Sequence, residues 1–422
     1  MYFLYTIMLG CFFLFLLPAL AWTYFFTPKY RHTLRERFGT LPCSGLANAK
    51  TPCIWIHAVS VGEAMAAKGL VEALRRRYPK HRLLMSTVTK TGREVAHQQL
   101  PHVNLFYLPL DFPWIVNKVV ALLRPRMLVV METELWPNLY HACQRNQVPI
   151  LVVNGRLSPR SAKRYGLVAF MMRRFLQPVS QFGMQSEEDA LRLVKLGVYP
   201  HRITVTGNLK YDQAMNLPAE PLTHEMRERL AVGEDPLWLA ASTHNKEEEI
   251  VLKSYLQLRQ THGRLRLILA PRHPERTRQV ADLIRSMNLE PVLFSDLHQT
   301  WQSHEILLVD QVGWLFRLYS LAKVVFVGGS LIPHGGQNML EPSAWGIPPV
   351  FGPHTVNFRQ VVERLLQANA AIQVADGQEL TKAIHTLLDD EERRSAMGRH
   401  AQWVVEENVG ALERTLELFD NY

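Results

Sequence analysis

Apolar and polar positions divide this chain into three regimes. Residues 2 to 26, YFLYTIMLGCFFLFLLPALAWTYFF, carry no charged side chain. That run exceeds the roughly 20 residues a helix needs to cross a hydrocarbon core. Lys29, Arg31, Arg35 and Arg37 follow it, and no basic side chain precedes it. The positive-inside rule then predicts an anchor over residues 1–28 with everything after it on the cytoplasmic side. A cleaved signal peptide would carry a basic leader and a shorter apolar run, and neither is clear. Pro18 can kink the run, so a helix lying in the membrane interface is the other arrangement open to it.

From residue 52 onward, short apolar runs alternate with amphipathic stretches. Strands are expected at 52–59, 82–88, 104–108, 127–131, 148–153, 181–185 and 202–206, with helices at 63–77 and 93–99. Residues 211–235 are polar, hold Pro218 and Pro221, and read as a linker. Alternation then restarts, with strands at 237–241, 266–269, 291–294, 305–309, 324–327 and 349–351. Helices are expected at 247–260, 276–286 and 312–322, and from 378 to the end. This rhythm predicts two α/β halves, each a parallel sheet covered by helices. The domains are expected at 29–212 and 237–422, joined by a linker at 213–236, and ligands belong at the carboxyl ends of the strands.

Composition changes this picture little. Hydrophobic residues make up 47% and charged residues 20%, which is globular and not disordered. The formal charge of +9 points to an anionic partner without naming it. Cys11, Cys43, Cys53 and Cys143 are scattered, with no CxxC pair and no adjacent histidines, so no metal site is expected.

Six strand-end motifs carry candidate chemistry. In His57-Ala-Val-Ser-Val-Gly-Glu63, Ser60 and Glu63 stand at a strand-to-helix turn. The positive end of the helix would keep Glu63 ionised and fit to act as a base, although a first-turn Glu is also ordinary capping chemistry. Met131-Glu-Thr-Glu-Leu-Trp-Pro-Asn138 sets Glu132 and Glu134 at a strand end, or simply starts a helix at Pro137. Thr206-Gly-Asn-Leu-Lys-Tyr-Asp212 offers Lys210 to an anion, or to solvent. Ala241-Ser-Thr-His-Asn245, with Ser242, and Pro271-Arg-His-Pro-Glu-Arg276, with Arg272, each follow a strand; capping is the plain alternative for both. The run from Gly328 to Pro342 holds two Gly-Gly pairs, then Asn338 and Glu341. Its backbone is expected to cradle a phosphate beside a ribose-binding acid. It matches neither a P-loop nor GxGxxG.

Taken in order, HAVSVGE, METELWPN, TGNLKYD, ASTH, PRHPER, GGS…HGGQNMLEP and GPHTVNF resemble the motifs of 3-deoxy-D-manno-octulosonic acid (Kdo) transferases, over nearly the whole chain. The resemblance implies a GT-B fold, two Rossmann-like domains facing each other across a cleft, with the last helix able to pack back on the first domain. It implies an inverting transfer of Kdo from CMP-Kdo to a lipid A precursor, lipid IVA, in lipopolysaccharide core biosynthesis, with no cofactor and no metal. The partners would be the donor, the acceptor and inner-membrane lipids, with no nucleic acid, at the cytoplasmic face of the inner membrane. Glu63 matches the family's catalytic base. The CMP contacts fall on Pro271, Arg272, Val312, Gly313, Trp314, Gly336, Asn338, Met339, Leu340 and Glu341. Ser60, Glu134, Lys210, Ser242, Ser330 and Gln337 are further donor or acceptor contacts. Trp314 stands where the family usually has Glu, and Gln337 where it often has His. The rival readings are a GT-B transferase using a UDP-sugar and a non-enzymatic nucleotide-binding membrane protein.

Overall fold

The computed structural model describes residues 1–26, 31–41, 51–215, 222–230, 233–297, 301–302, 304–420 and 422, with the side chains of 18–26 and 31–32 left aside. The chain divides into two compact units. One is Met1–Asp212 with Val409–Tyr422, and the other is Gln213–Asn408.

The first unit holds seven parallel strands: β1 (Cys53–His57), β2 (Arg82–Thr87), β3 (Asn104–Tyr107), β4 (Pro125–Met131), β5 (Ile150–Gly155), β6 (Gln181–Met184) and β7 (Ile203–Val205). Their order is β3-β2-β1-β4-β5-β6-β7. Alternate residues of each strand feed two cores. Trp55, Leu84, Leu128, Val130 and Val152 enter one. Ile54, Ile56, Met85, Val129 and Val153 enter the other, together with Ala411, Leu418 and Phe419 of the C-terminal segment. A strand buried on both faces has no polar side to show, which is why these segments read as continuous apolar runs.

The second unit repeats the plan with β8 (Leu237–Thr243), β9 (Arg266–Pro271), β10 (Glu290–Leu293), β11 (Glu305–Leu308), β12 (Val324–Val327), β13 (Pro349–Phe351) and β14 (Ile372–Gln373). Their order is β10-β11-β9-β8-β12-β13-β14. The two-residue β14 has too short a pattern to show in the sequence. The helix expected over 312–322 shrinks to Leu315–Leu318 and a 3-10 turn at Tyr319–Leu321. Within the expected linker, helices run over Leu209–Met215 and His224–Leu230. Its residues 216–221 and 231–232 lie outside the described residues.

The N-terminal run is a helix, Tyr2–Phe26, while the expected bilayer-crossing anchor is not shown. Among the described residues no helix is long and apolar enough to cross a membrane. Residues 27–30, including the end of the expected anchor, lie outside them. The first turns of the helix instead dock on the first unit. Tyr2, Tyr5, Thr6 and Phe13 are half-buried, while Phe3, Leu4, Ile7, Met8, Phe12 and Phe15 are exposed. Phe13 packs edge-on against Phe38 and Phe112 at 6.2 and 5.6 Å. This 3.6-residue periodicity marks a helix lying along a protein surface.

Candidate functional site

Strand order reverses once in each sheet. β1 lies between β2 and β4, and β8 lies between β9 and β12. At such a switch point the carboxyl-end loops run in opposite directions and leave room for a ligand. The expected motifs are the loops at these ends.

In the first unit, β1 ends at His57 and the helix Val61–Arg77 begins after Ser60. Ser60 Oγ accepts from the Glu63 amide at 3.4 Å. Glu63 Oε2 in return accepts from the Val59 amide at 2.8 Å, and its Oε1 accepts from the Ser60 hydroxyl at 2.9 Å. This is a variant of the capping box, with the carboxylate on the amide before the N-cap, so the capping alternative is physically present. The same carboxyl is only 6% exposed. Burial, reinforced by Glu132 and Glu134 and opposed by the Val59 and Ser60 hydrogen bonds, pushes it up to about 7. Burial thus works against the helix start, which is expected to favour the ionised form of Glu63.

β4 delivers its loop beside this carboxyl. Glu132 adopts φ +55°, a left-handed conformation costly for a long side chain. Arg156, just past β5, pairs with it at 3.3 Å. Burial, then Glu132, raises Glu134 to about 7. Burial lowers the Lys210 amine, which Glu132 and Glu63 pull back up against Arg156. Glu63, Glu132, Glu134, Lys210 and Arg156 thus form one electrostatic group at the ends of β1, β4, β5 and β7. His57 is fully buried, has Nδ1 2.9 Å from Ser86 Oγ and is pushed down to about 4 by burial, so it is neutral.

In the second unit, the first part of the glycine loop after β12 is met from within the chain, by Glu247. Oε1 accepts from the Ser330 and Leu331 amides at 3.0 and 2.9 Å, and Oε2 from the Gly329 and His244 amides at 2.6 and 3.0 Å. The glycines answer chain packing. A Cβ on Gly328 would lie 2.5 Å from Ser242 O, and one on Gly352 would lie 2.3 Å from Ser330 O. Ser330 is corrected as a ligand contact. It is fully buried, donating to Val327 O at 2.5 Å and accepting from the Gly352 amide at 2.9 Å.

Side chains supply the positive potential. The His244 ring stacks on His334 at 4.4 Å and meets His273 edge-on at 5.6 Å. Gln337 Nε2 lies 3.1 Å from His244 Nε2. Burial, then His334, His273, Arg272 and Arg276, drives His244 down to about 4. His244 is therefore neutral, and the positive potential offered to an anion here comes from Arg272 and Arg276. Arg272 is exposed, and its amide donates to Thr243 O at 2.9 Å, tying the β9 end to the β8 end. Glu341 accepts from Asn338 Nδ2 at 3.1 Å. Burial raises it to about 7 against that bond and Arg272. Ser242 takes φ +52°. Pro271, Gly336, Met339 and Leu340 are buried, so Met339 and Leu340 can offer a ligand backbone only. Val312 is 81% exposed, Gly313 has φ +97°, and Trp314 packs on Phe294 at 5.0 Å.

Among the described residues, two groups have metal-ligand spacing: His262, His385 and Asp389, and Glu290, His304 and Glu305. Neither contains a residue expected at the site. Arg156, Glu247, His244, His273 and His334 were not expected as a group. Their shared signal is that each lies within a few residues of a strand's carboxyl end.

A family model described as 3-Deoxy-D-manno-octulosonic-acid transferase (kdotransferase) matches residues 32–213. The 3-deoxy-D-manno-octulosonic acid transferase of Haemophilus influenzae is 37% identical, with 94% of this chain and 92% of that one covered. The transferase of the same name from Chlamydophila psittaci is 33% identical over 99% and 97%. The solved structure of a putative UDP-N-acetylglucosamine 2-epimerase from Listeria monocytogenes shares the fold, with a TM-score of 0.59 over 88% of this chain and 97% of that one at 16% identity. Two Rossmann-like units of this kind are the GT-B architecture, and the motif loops sit where that architecture binds substrates. The chain therefore belongs to the 3-deoxy-D-manno-octulosonic acid transferase family and is a glycosyltransferase.

Proposed function

We propose that this enzyme transfers Kdo, with inversion, from CMP-Kdo to a hydroxyl of a lipid A precursor. Glu63 takes the acceptor's proton as its oxygen attacks the anomeric carbon. The bond from that carbon to the CMP phosphate oxygen breaks, and CMP leaves with the electron pair. The cluster of Arg272, His244, His273 and His334 meets the anionic donor, and Glu341 with Asn338 meets the ribose. Lys210 and Arg156 favour a phosphorylated acceptor. The observation that carries this reading is the Glu63 carboxyl, buried at the end of β1 and raised to about 7. A general base works best when it titrates near the operating pH.

The acceptor's lipid nature and the exposed apolar face of the N-terminal helix support a membrane-surface location, with the units on the cytoplasmic side. In this reading the helix lies in the interface plane.

Glu63→Gln keeps the size and much of the capping box but cannot accept a proton. Its kcat should fall by about 10²–10⁴-fold, with CMP affinity within twofold of wild type. Near-normal turnover would overturn the assignment and turn attention to Glu134.

A further inference from the structure

The helix Pro137–Arg145 starts beside the candidate site without a cap of its own. Its N-cap residue, Trp136, makes no side-chain cap hydrogen bond, and Pro137 follows. A helix start leaves amides without partners, which must be met from elsewhere. Asp111 meets them across 27 residues of chain. It is 3% exposed. Its Oδ1 accepts from the Leu139 amide at 2.7 Å and its Oδ2 from the Asn138 amide at 3.1 Å. The Asn138 side chain returns a bond to Asp111 O at 2.6 Å.

The third donor to this carboxylate comes from the N-terminal helix. Tyr5 OH donates to Asp111 Oδ2 at 3.0 Å. Thr6 Oγ1 lies 3.1 Å from Asn138 Nδ2. Tyr2 stacks on His141 at 4.4 Å, and its hydroxyl donates to Arg174 O at 3.2 Å. A tether needs no such contacts, because an apolar helix can hold a membrane without touching the domain it carries.

The far end of this network reaches the site. Tyr140, one residue past Leu139, donates its hydroxyl to Glu134 O. Trp136 sets its ring edge-on to His57 at 5.8 Å. Between them and β4 lies Glu132 with its strained φ of +55°. A strained turn persists only while its surroundings over-determine it.

We infer that Asp111 is a positioning residue for the Glu132–Trp136 turn, and that the N-terminal helix is a working part of the acceptor-side site through Tyr5. This rests on the reading that places the acceptor at Glu63, Glu132 and Glu134. No polar group other than Tyr5 OH and the Asn138 and Leu139 amides bonds to the Asp111 carboxylate among the described residues. Loss of the Tyr5 hydroxyl therefore leaves a desolvated carboxylate with two donors in place of three. Burial pushes this carboxyl up to about 7 against the Asn138, Leu139 and Tyr5 bonds, and an unmet buried acceptor is costly.

Tyr5→Phe and Asp111→Asn in the full chain test this, with the tyrosine variant the milder one. In Tyr5→Phe the KM for the lipid acceptor should rise about tenfold while the KM for CMP-Kdo stays within twofold. The acid limb of kcat should also shift, because Glu132 and Glu134, carried by this turn, add to the effect of burial on Glu63. A lower melting temperature with both KM values and the pH profile unchanged would reduce the contact to a structural one and overturn the inference. Hydrogen exchange gives a readout that needs no substrate. The Asn138 and Leu139 amides should exchange at least tenfold faster in Tyr5→Phe, with the second unit unaffected. Unchanged exchange there also overturns it. A wild-type enzyme that exchanges as expected but transfers no Kdo would count against the functional reading alone.

Discussion

Glu63 holds two jobs that a sequence presents as rivals. The Ser60–Glu63 pair is a variant capping box, and first-turn acids commonly do nothing more. The structure adds what local sequence lacks: burial, and two further carboxyls brought in from the end of β4. These raise the carboxyl to about 7 against the Val59 and Ser60 hydrogen bonds. The sign of the pH dependence follows. A base must be unprotonated, so kcat should fall as pH drops through about 7; an acid limb near 4.5 would show that the site does not desolvate Glu63. For stability the sign is opposite. A carboxyl raised on folding contributes fully below its unfolded value of about 4.5 and loses that contribution as pH rises through about 7. Glu63→Gln should therefore gain stability relative to wild type between pH 5 and pH 8, measured by melting. A constant difference across that range would contradict the raised carboxyl.

At the scale of elements, the doubly buried strands were legible because apolar runs of four to seven residues have few other uses in an alternating α/β chain. The loops were legible in position but not in chemistry. Two Gly-Gly pairs after β12 suggest a backbone phosphate cradle, yet the Gly329, Ser330 and Leu331 amides are met by Glu247, 82 residues from Gly329, and no local pattern announces it. His244, His273 and His334 come from three different strand ends, so their stacking is likewise invisible until the sheet is assembled. The N-terminal run gave its helix but not its docking, because Tyr2, Tyr5 and Thr6 look unremarkable inside an apolar stretch. Glu247 supplies a test of the loop. Glu247→Gln replaces one accepting oxygen with an NH2 facing amide donors, and each unmet buried amide costs about 1–3 kcal/mol. The melting temperature should drop on the order of 10 °C, with weaker CMP binding. An unchanged melting temperature would show that the loop holds itself.

For the whole molecule, the proposed function raises the question of how a +9 protein with a 25-residue apolar helix would meet a lipid. A spanning helix must release its polar contacts from the protein it precedes. Here Tyr5 and Thr6 are engaged with Asp111 and Asn138, and the opposite face shows Phe3, Phe12 and Phe15 at 79, 61 and 83% exposure. Trp114, Leu167 and Phe170 of the same unit are exposed as well. An in-plane helix is held by the apolar area it inserts, plus attraction between basic side chains and anionic head groups. Inserting one Phe contributes roughly 1.5–3 kcal/mol, so removing two should weaken membrane partitioning by at least about 100-fold. Phe12→Glu/Phe15→Glu should leave the Tyr5–Asp111 side intact and so keep the folded enzyme. It should sediment poorly with anionic vesicles that carry down the wild type, and high salt should weaken wild-type binding further. A helix that crossed the bilayer would behave otherwise, remaining with the membrane through salt and alkaline extraction, and that result would refute the in-plane arrangement.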